Sequence, residues 1–370
     1  MITTIIVFIL VLGLLVFVHE LGHFVAAKKM GVRVDEFGLG FPPKLIGIRK
    51  GETLYSLNLL PLGGFVRIKG ETGEDKDDPD SFSHKKIWQR SIILFSGVAM
   101  NFVTAIILVA IGFMIGLPLP LDDAESFAKA KISDPRIQVV SILKDSPAEQ
   151  ADLAVGDVIL KINDQSFAEL EQLQGFLEER EGAVSVVVKR GQEELARTIE
   201  TKRLAETGKF GLGVGLVKSG IVSFPWHLAL WHGLERSVFI TKEVVIAFYT
   251  LFKNLIVGQQ IAVDVSGPVG IAIITGQVTK LGFVYILQFM ALLSINLAVI
   301  NILPFPALDG SRLFFLAVEK IRRKQLDRRV ESLIHTFGFS VLILLMVFIT
   351  YRDVVKYGGD IWSLVSGFFS

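Results

Sequence analysis

The sequence contains no cysteine, which excludes disulfides and thiolate metal sites. Any bound metal must therefore be held by His, Asp or Glu side chains. The formal net charge is only +1, so the chain lacks the strong positive field of a nucleic-acid-binding protein, and no nucleic-acid partner is expected. The first 18 residues carry no charge. A cleaved secretory signal needs a basic start and a small-residue cleavage site, so this segment is predicted to stay as a membrane helix.

Apolar residues are abundant, at 51% of the chain, and the mean hydropathy is +0.54. This composition predicts a membrane protein in contact with the lipid bilayer. Four segments are predicted to cross the membrane: 1–27, 91–117, 281–310 and 333–356. A fifth apolar segment at 226–257 is interrupted by charged residues and is predicted to be an amphipathic helix within a 206–280 linker.

Loop charges predict the orientation of these segments. The 28–90 and 311–332 loops are rich in Lys and Arg, whereas the start of the chain has none. By the positive-inside rule, both basic loops are cytoplasmic, and both termini, including the 357–370 tail, lie outside. The long segment between the second and third spans is then extracytoplasmic.

That outer segment contains "SPAEQADLAVGDVILKIND", followed by a predicted helix and an alternating hairpin turned at Arg190–Gly191. Ser146 is predicted to cap a short helix, and Asn163–Asp164 is predicted to form a turn. The pattern resembles a PDZ domain and is placed at 122–205. The resemblance implies an α+β domain that binds extended peptides or substrate tails at a sheet edge. The alternative is a domain that acts only as a spacer.

The end of the first apolar segment reads His19-Glu20-Leu21-Gly22-His23, an H-E-x-x-H motif. On a helix, His19 and His23 share one face and can bind the same metal ion. Glu20 lies further round the helix, where it can accept a proton from a water molecule without being a ligand. The alternative is a pair of interfacial histidines with a snorkelling glutamate.

A catalytic zinc ion needs a third protein ligand, and Asp309 is the best candidate. It follows an apolar helix that Pro304 and Pro306 are expected to break, with Asn301 as a further polar group in the same span. The predicted topology puts both clusters at similar depth, toward the cytoplasmic face. The alternative is an ordinary Pro-Asp-Gly turn at the end of a span.

Together these motifs resemble the site-2 protease family of zinc intramembrane proteases. The resemblance is carried by H-E-x-x-H, by N-x-x-P-x-P-x-L-D-G from Asn301 to Gly310, by "NLLPLGGFVRIKGE" and by "SGPVGIA". It is greatest with the bacterial branch that cleaves anti-sigma factors after a first cut by another protease.

The resemblance implies a role for each matching residue. His19, His23 and Asp309 bind Zn2+, and Glu20 is the catalytic base. A membrane-associated hairpin at 55–71 is expected to pair with an unwound substrate. The implied substrate-binding residues are Asn301, Pro304, Pro306 and, at the hairpin turn, Gly63, Gly64 and Phe65.

Two features depart from the family pattern. Some members of the branch carry two PDZ domains, whereas this sequence shows one. The second span often holds G-P-x-x-N, but here the proline is missing between Gly97 and Asn101. Asn101 is therefore only a candidate for packing or for contact with substrate.

The fold class predicted is a membrane α-helical protein with four transmembrane helices, a membrane-associated β-hairpin loop and an inserted extracytoplasmic PDZ domain. The function predicted is zinc-dependent cleavage of the transmembrane segments of pre-trimmed single-span proteins, such as anti-sigma factors or remnant signal peptides. The expected location is the bacterial inner membrane. Two alternatives are an inactive membrane scaffold that uses its PDZ domain and a metal transporter, which would need polar residues across several spans.

Overall fold

A computed structural model describes residues 2–121, 130–203, 208–258, 266–324, 327–356 and 358. The first residues of the predicted PDZ domain, 122–129, and all of the predicted tail except 358 lie outside this range. The helices are α1 (Ile2–Lys29), α2 (Ile87–Ile115), α3 (Pro147–Gln150), α4 (Leu170–Glu178), α5 (Trp226–Val257), α6 (Pro268–Leu281), α7 (Phe283–Ile302), α8 (Asp309–Arg322) and α9 (Arg328–Lys356). The strands are β1 (Val34–Lys50), β2 (Thr53–Ile68), β3 (Leu117–Pro120), β4 (Lys131–Ile142), β5 (Val158–Ile162), β6 (Ala183–Arg190), β7 (Glu193–Glu200), β8 (Lys202–Arg203), β9 (Phe210–Gly211) and β10 (Val214–Ser223).

Four of the described helices, α1, α2, α7 and α9, are long and apolar enough to cross a membrane. The α5 helix does not meet that standard, because charged residues recur along it. The chain divides into two units. One comprises Met1–Val109, Leu234–Gly276 and Gln288–Ser370, and the other comprises Ala110–Gly233 and Gln277–Leu287.

The first unit has a buried core where α1, α2 and α8 meet the β1–β2 sheet. Leu313 and Leu316, three residues apart on α8, pack against this core, and Arg90 of α2 pairs with Glu319 at 3.1 Å. The sequence predicted that 311–332 is a basic loop, and this prediction is wrong for its first part. Its first part is an amphipathic helix whose apolar face is covered by the core, which local charge content does not reveal.

The β1–β2 sheet contains four paired runs rather than one simple hairpin. The first half of β1 is central, because Gly38 lies opposite Phe65 on one side and Ser56 on the other. The second half of β1 pairs with the beginning of β2. Among the described residues, the run 64–68 pairs on one side only, so it forms an edge of the sheet.

The predicted turn at Gly63–Phe65 borders a real reversal of the chain. The 54–57 run ascends beside 36–39, whereas the 64–68 run descends against the same residues, so the chain reverses between Asn58 and Gly64. The two runs flank β1 and do not pair with each other, unlike the arms of the predicted 55–71 hairpin, and the sheet has a second reversal earlier in the chain. Lys50 pairs with Thr53, so the chain reverses at Gly51 and Glu52, where Gly51 has a φ of +62°. Gly63, Gly64 and Phe65 lie inside β2. The double glycine also allows a close approach of the strand to its neighbours: a Cβ on Gly64 would lie 3.0 Å from the Gly38 carbonyl oxygen and 3.5 Å from Glu20 Cγ.

The second unit holds a six-stranded antiparallel sheet in the order β3-β10-β4-β5-β6-β7. Its core includes Ile137 and Val139 of β4, Leu173 of α4 and Val186 of β6. Ser146 caps α3 by accepting a hydrogen bond from the Glu149 amide.

This sheet extends beyond the predicted 122–205 boundary, because β10 at Val214–Ser223 belongs to it. The β10 sequence contains two glycines and only weak alternation, so its strand character depends on its partners. All of β10 lies against β4, and its last part, Ser219–Val222, also pairs with β3. Within the described residues, Val214–Lys218 therefore keeps one unpaired edge beside α4, and Lys218 pairs with Glu169 at 2.6 Å.

Candidate metal centre

His19 and His23 occupy one face of α1, one helical turn apart. Both are buried, with exposed fractions of 8% and 7%. Their rings meet edge to face, and the two Nε2 atoms lie 3.2 Å apart. Burying two polar rings in an apolar helix of membrane length is energetically costly, so the pair indicates a functional site at the end of this helix.

Asp309 joins them from a position 290 residues further along the chain. Its Oδ2 atom lies 3.1 Å from His19 Nε2 and 3.2 Å from His23 Nε2. The prolines end α7 at Ile302, and the 303–308 loop returns the chain so that α8 begins at Asp309. A Cβ on Gly310 would lie 2.2 Å from the Ile302 carbonyl oxygen, so only glycine permits this tight return.

The three donor atoms fit a single zinc ion. Tetrahedral coordination with bonds of about 2.0–2.1 Å places neighbouring ligand atoms about 3.3 Å apart. The three observed separations are 3.1, 3.2 and 3.2 Å. Among the described residues, these three are the group of His, Asp or Glu side chains whose donor atoms converge in this way. Three protein ligands leave the fourth position for water or substrate, as catalytic zinc requires.

Second contacts orient both imidazoles, and one of them fixes the tautomer of His23. His23 Nδ1 lies 2.8 Å from the Ile93 carbonyl oxygen. A carbonyl only accepts, so Nδ1 carries the hydrogen and Nε2 keeps its lone pair. His19 Nδ1 lies 3.2 Å from the side-chain amide of Asn101, which is fully buried.

Residues Gly97 and Asn101 of α2 line the back of the site. A Cβ on Gly97 would lie 2.3 Å from His23 Nε2 and 2.8 Å from His19 Cε1. A side chain here would therefore displace the imidazoles. The four-residue spacing from Gly97 to Asn101 places both on one face of α2, which is the signal that sequence reasoning saw without assigning it to the metal site.

The site opens into a cleft of about 490 Å³. Glu20 lines it beside the two histidines, and Gly64 of the sheet edge lies close to Glu20. Glu71 and Arg312 form an ion pair in its wall. The lining residues are His19, Glu20, His23, Phe65, Val66, Ile68, Glu71, Leu94, Ala307, Asp309, Arg312, His335, Thr336 and Phe339.

The predicted substrate-binding residues do not all line this cleft. Phe65 lines the cleft, but Asn301, Pro304 and Pro306 are not among the described lining residues. Asn301 lies in the last turn of α7, and Pro306 packs against α9, where a Cβ on Gly338 would come within 2.1 Å of it. Ala307, between the prolines and Asp309, is the part of this loop that reaches the cleft.

Sequence reasoning also missed Arg312 and His335. Arg312 was used only as part of the charge of a basic loop, and no role was assigned to His335. The signal for His335 was that the sequence has only six histidines, and this one begins an apolar helix.

Similarity to known proteins is not limited to the metal centre but covers nearly the whole chain. The model of peptidase family M50 matches residues 7–345. A putative zinc metalloprotease of Clostridium perfringens is 35% identical over 349 residues, which cover 94% of this chain and 97% of the relative. The regulator of sigma-W protease RasP of Bacillus subtilis is 30% identical over 441 aligned positions, which cover 96% of this chain and 99% of that protein.

Among solved structures, the PDZ domain of an SdrC-like protein from Listeria monocytogenes is 24% identical, with a TM-score of 0.22, over 24% of this chain and 93% of that domain. The family match covers most of the chain, and relatives named zinc metalloproteases align over nearly all of it. Together with the apolar helices, these matches describe a multi-pass membrane protein that uses Zn2+. The chain belongs to peptidase family M50, the site-2 protease family, and is a zinc metalloprotease.

Proposed function

We propose that this protein is an intramembrane endopeptidase that cuts the transmembrane segments of single-span membrane proteins. One observation carries the proposal: the His19–His23–Asp309 cluster, Glu20 and an open sheet edge all border one cleft at the end of a membrane-length helix. The sequence alternative of an inactive scaffold gives no reason for three metal-ligand side chains to converge beside a free carboxylate.

The metal ligands in this proposal are His19, His23 and Asp309. Their spacing supports this assignment, and the contacts of His23 with Ile93 and of His19 with Asn101 orient both rings. When bound, the zinc ion supplies Lewis acidity to the scissile carbonyl and to the attacking water.

The catalytic base in this proposal is Glu20. It lies next to His19 in sequence, lines the same cleft and is not one of the three converging donors. From there it accepts the proton of the attacking water and then delivers it to the leaving amine nitrogen. Proton transfer of this kind is worth about 10²–10⁴-fold in rate.

Substrate enters this site as an extended strand. A transmembrane helix hides its amides in internal hydrogen bonds, so it must unwind locally before attack. The edge run 64–68 offers unpaired backbone groups, and its residues Phe65, Val66 and Ile68 line the cleft. We assign the capture of the unwound segment to this edge by strand addition. Asn301, Pro304 and Pro306 complete the proposed substrate site by shaping the loop that ends in Ala307.

The PDZ-like domain selects substrates in this proposal. The open β10 edge at Val214–Lys218 can take one more strand, such as a substrate tail exposed by a first cut. One relative is named Regulator of sigma-W protease RasP, which supports single-span anti-sigma factors as the proposed substrates. The basic loops support a cytoplasmic position of the metal centre in the bacterial inner membrane, with both termini and the PDZ-like domain outside.

The experiment compares purified wild-type protein with Glu20→Gln on a single-span substrate whose outer domain has been removed. Zinc is quantified in both samples. We expect the wild type to cut within the span and Glu20→Gln to keep its zinc but lose about 10²–10⁴-fold in rate. Equal cutting by the two proteins would contradict the assignment of the base, and no cutting by zinc-loaded wild type would contradict the function.

A further inference from the structure

His335 lies on α9 and lines the same cleft as Glu20 and Asp309. Its Nδ1 atom accepts a hydrogen bond from the Ala307 amide at 3.1 Å, and its ring packs edge-on against Phe315 with centroids 5.6 Å apart. The side chain is thus held from two sides, next to the loop that delivers Asp309.

These contacts fix the tautomer of His335. A backbone N–H only donates, so Nδ1 is the acceptor and the neutral ring carries its hydrogen on Nε2. The Nε2 atom is buried and has no hydrogen-bond partner among the described residues. A buried donor left unpaired destabilises the fold, so it needs an explanation beyond the anchoring of Ala307.

The surroundings of His335 are rigidly tied to the metal centre. Ala307 precedes Asp309 by two residues and has a φ of +78°, a conformation that L-residues rarely adopt. Backbone contact between Pro306 and Gly338 leaves no room for even a methyl group, so α9 is pressed against this loop. His335 is therefore positioned with a precision that a surface histidine does not have.

Apart from the backbone of the 64–68 edge, few groups of the cleft can donate a hydrogen bond to a substrate, and among the side chains these are His335, the Thr336 hydroxyl and Arg312. Glu20, Glu71 and Asp309 only accept hydrogen bonds when ionised, and Arg312 is paired with Glu71. An unwound peptide brings carbonyl oxygens that have lost their helical partners. A preorganised N–H in the same cleft is the complementary group.

We propose that His335 is a substrate-contacting residue whose Nε2–H donates a hydrogen bond to a substrate backbone carbonyl at or beside the scissile bond. This inference rests on the proposed function. It adds a donor from α9 to a site whose other proposed groups come from α1, β2, the end of α7, the loop that follows it and the start of α8.

Two substitutions separate this role from simple anchoring. His335→Asn places an acceptor near the position of Nδ1, so it keeps the bond to Ala307 but removes the cleft donor. His335→Gln places an N–H near the position of Nε2, so it keeps the donor but loses the bond to Ala307. Both variants are measured for cleavage, zinc content and thermal unfolding, with the wild type as reference.

We expect His335→Asn to lower kcat/KM by about 10²-fold, the scale of one lost transition-state donor, with unchanged zinc content. His335→Gln is expected to retain most activity and to unfold earlier. In the Glu20→Gln background, His335→Asn should also weaken binding of an uncut substrate peptide. Wild-type cleavage and binding by His335→Asn, or an equal loss in both variants, would overturn the proposal. Failure of the proposed function is a different result, because the wild type itself would then not cut.

Discussion

At the scale of single residues, the Asn101 amide sets the orientation and the tautomer in which His19 binds a metal ion. If His19 Nε2 binds zinc, Nδ1 must carry the hydrogen and needs an acceptor. The Asn101 Oδ1 atom is buried and has no hydrogen-bond partner in the part of the chain that the structure describes, while the side-chain nitrogen faces His19 Nδ1. Rotating the amide by half a turn exchanges two atoms that differ little in shape, and it places Oδ1 where it accepts a hydrogen bond from His19 Nδ1–H. Asn101 is then a positioning residue for the ligand.

Replacing Asn101 by Leu is expected to weaken zinc binding by about 10–100-fold, because His19 loses the acceptor that sets its tautomer. Competition with a chelator of known affinity measures this directly, without relying on activity. Asn296→Leu is the matched control, since Asn296 bonds only to the Leu292 carbonyl of its own helix in the contacts described. Equal zinc affinity in the two variants would contradict the role of Asn101.

At the scale of elements, the "SGPVGIA" motif has a structural role that its sequence does not disclose. Asp353, near the end of α9, is 2% exposed and accepts hydrogen bonds from the Gly267 and Gly270 amides at 2.9 and 2.8 Å. These amides belong to the start of α6, whose first N–H groups have no partner within the helix. A Cβ on Gly267 would lie 3.0 Å from the carboxylate, so the glycines allow the close approach. The motif therefore joins α6 to α9.

Asp353→Ala should lower the free energy of unfolding of the protein in detergent by about 2–3 kcal/mol, because two buried amides lose a charged acceptor. Denaturant titration measures the change. The control is Asp77→Ala, which removes an exposed carboxylate from a loop. If both substitutions shift the transition equally, the carboxylate does not hold the two helices together.

At the scale of the whole molecule, the absence of cysteine makes the proposed orientation directly testable. Single substitutions Glu52→Cys, Gln192→Cys and Lys324→Cys each create one thiol at an exposed position in a chain that has none. In intact cells or spheroplasts, a membrane-impermeant maleimide is expected to label only the Gln192→Cys protein. The other two should react after the membrane is opened. Labelling of Glu52→Cys in intact cells would contradict a cytoplasmic position of the β1–β2 sheet.

Local physical rules explain which predictions were successful at each scale. The membrane helices follow from hydropathy and length, which depend only on neighbouring residues. The face shared by His19 and His23 follows from the helical period. By contrast, the pairing inside the β1–β2 sheet was not predicted, because the runs on either side of the Gly63–Gly64 reversal pair with β1 and not with each other. The β10 strand was missed because its partners, β3 and β4, supply its pairing.

The sequence by itself determined the membrane class, the pair of histidines with a neighbouring glutamate, and a third acidic candidate behind a proline break. These are consequences of composition and of spacing over a few residues. Only the tertiary structure decided which groups meet: Asp309 approaches His19 across 290 residues, Asn101 stands behind it on α2, and His335 enters from α9. These contacts depend on how closely the helices pack. Gly97, Gly310 and Gly338 permit that packing because each lacks a Cβ where a neighbouring group lies too close for one. No local sequence pattern predicts which glycines are needed, because the clearance at each one depends on a neighbouring group that is distant in sequence or on the path of the whole turn.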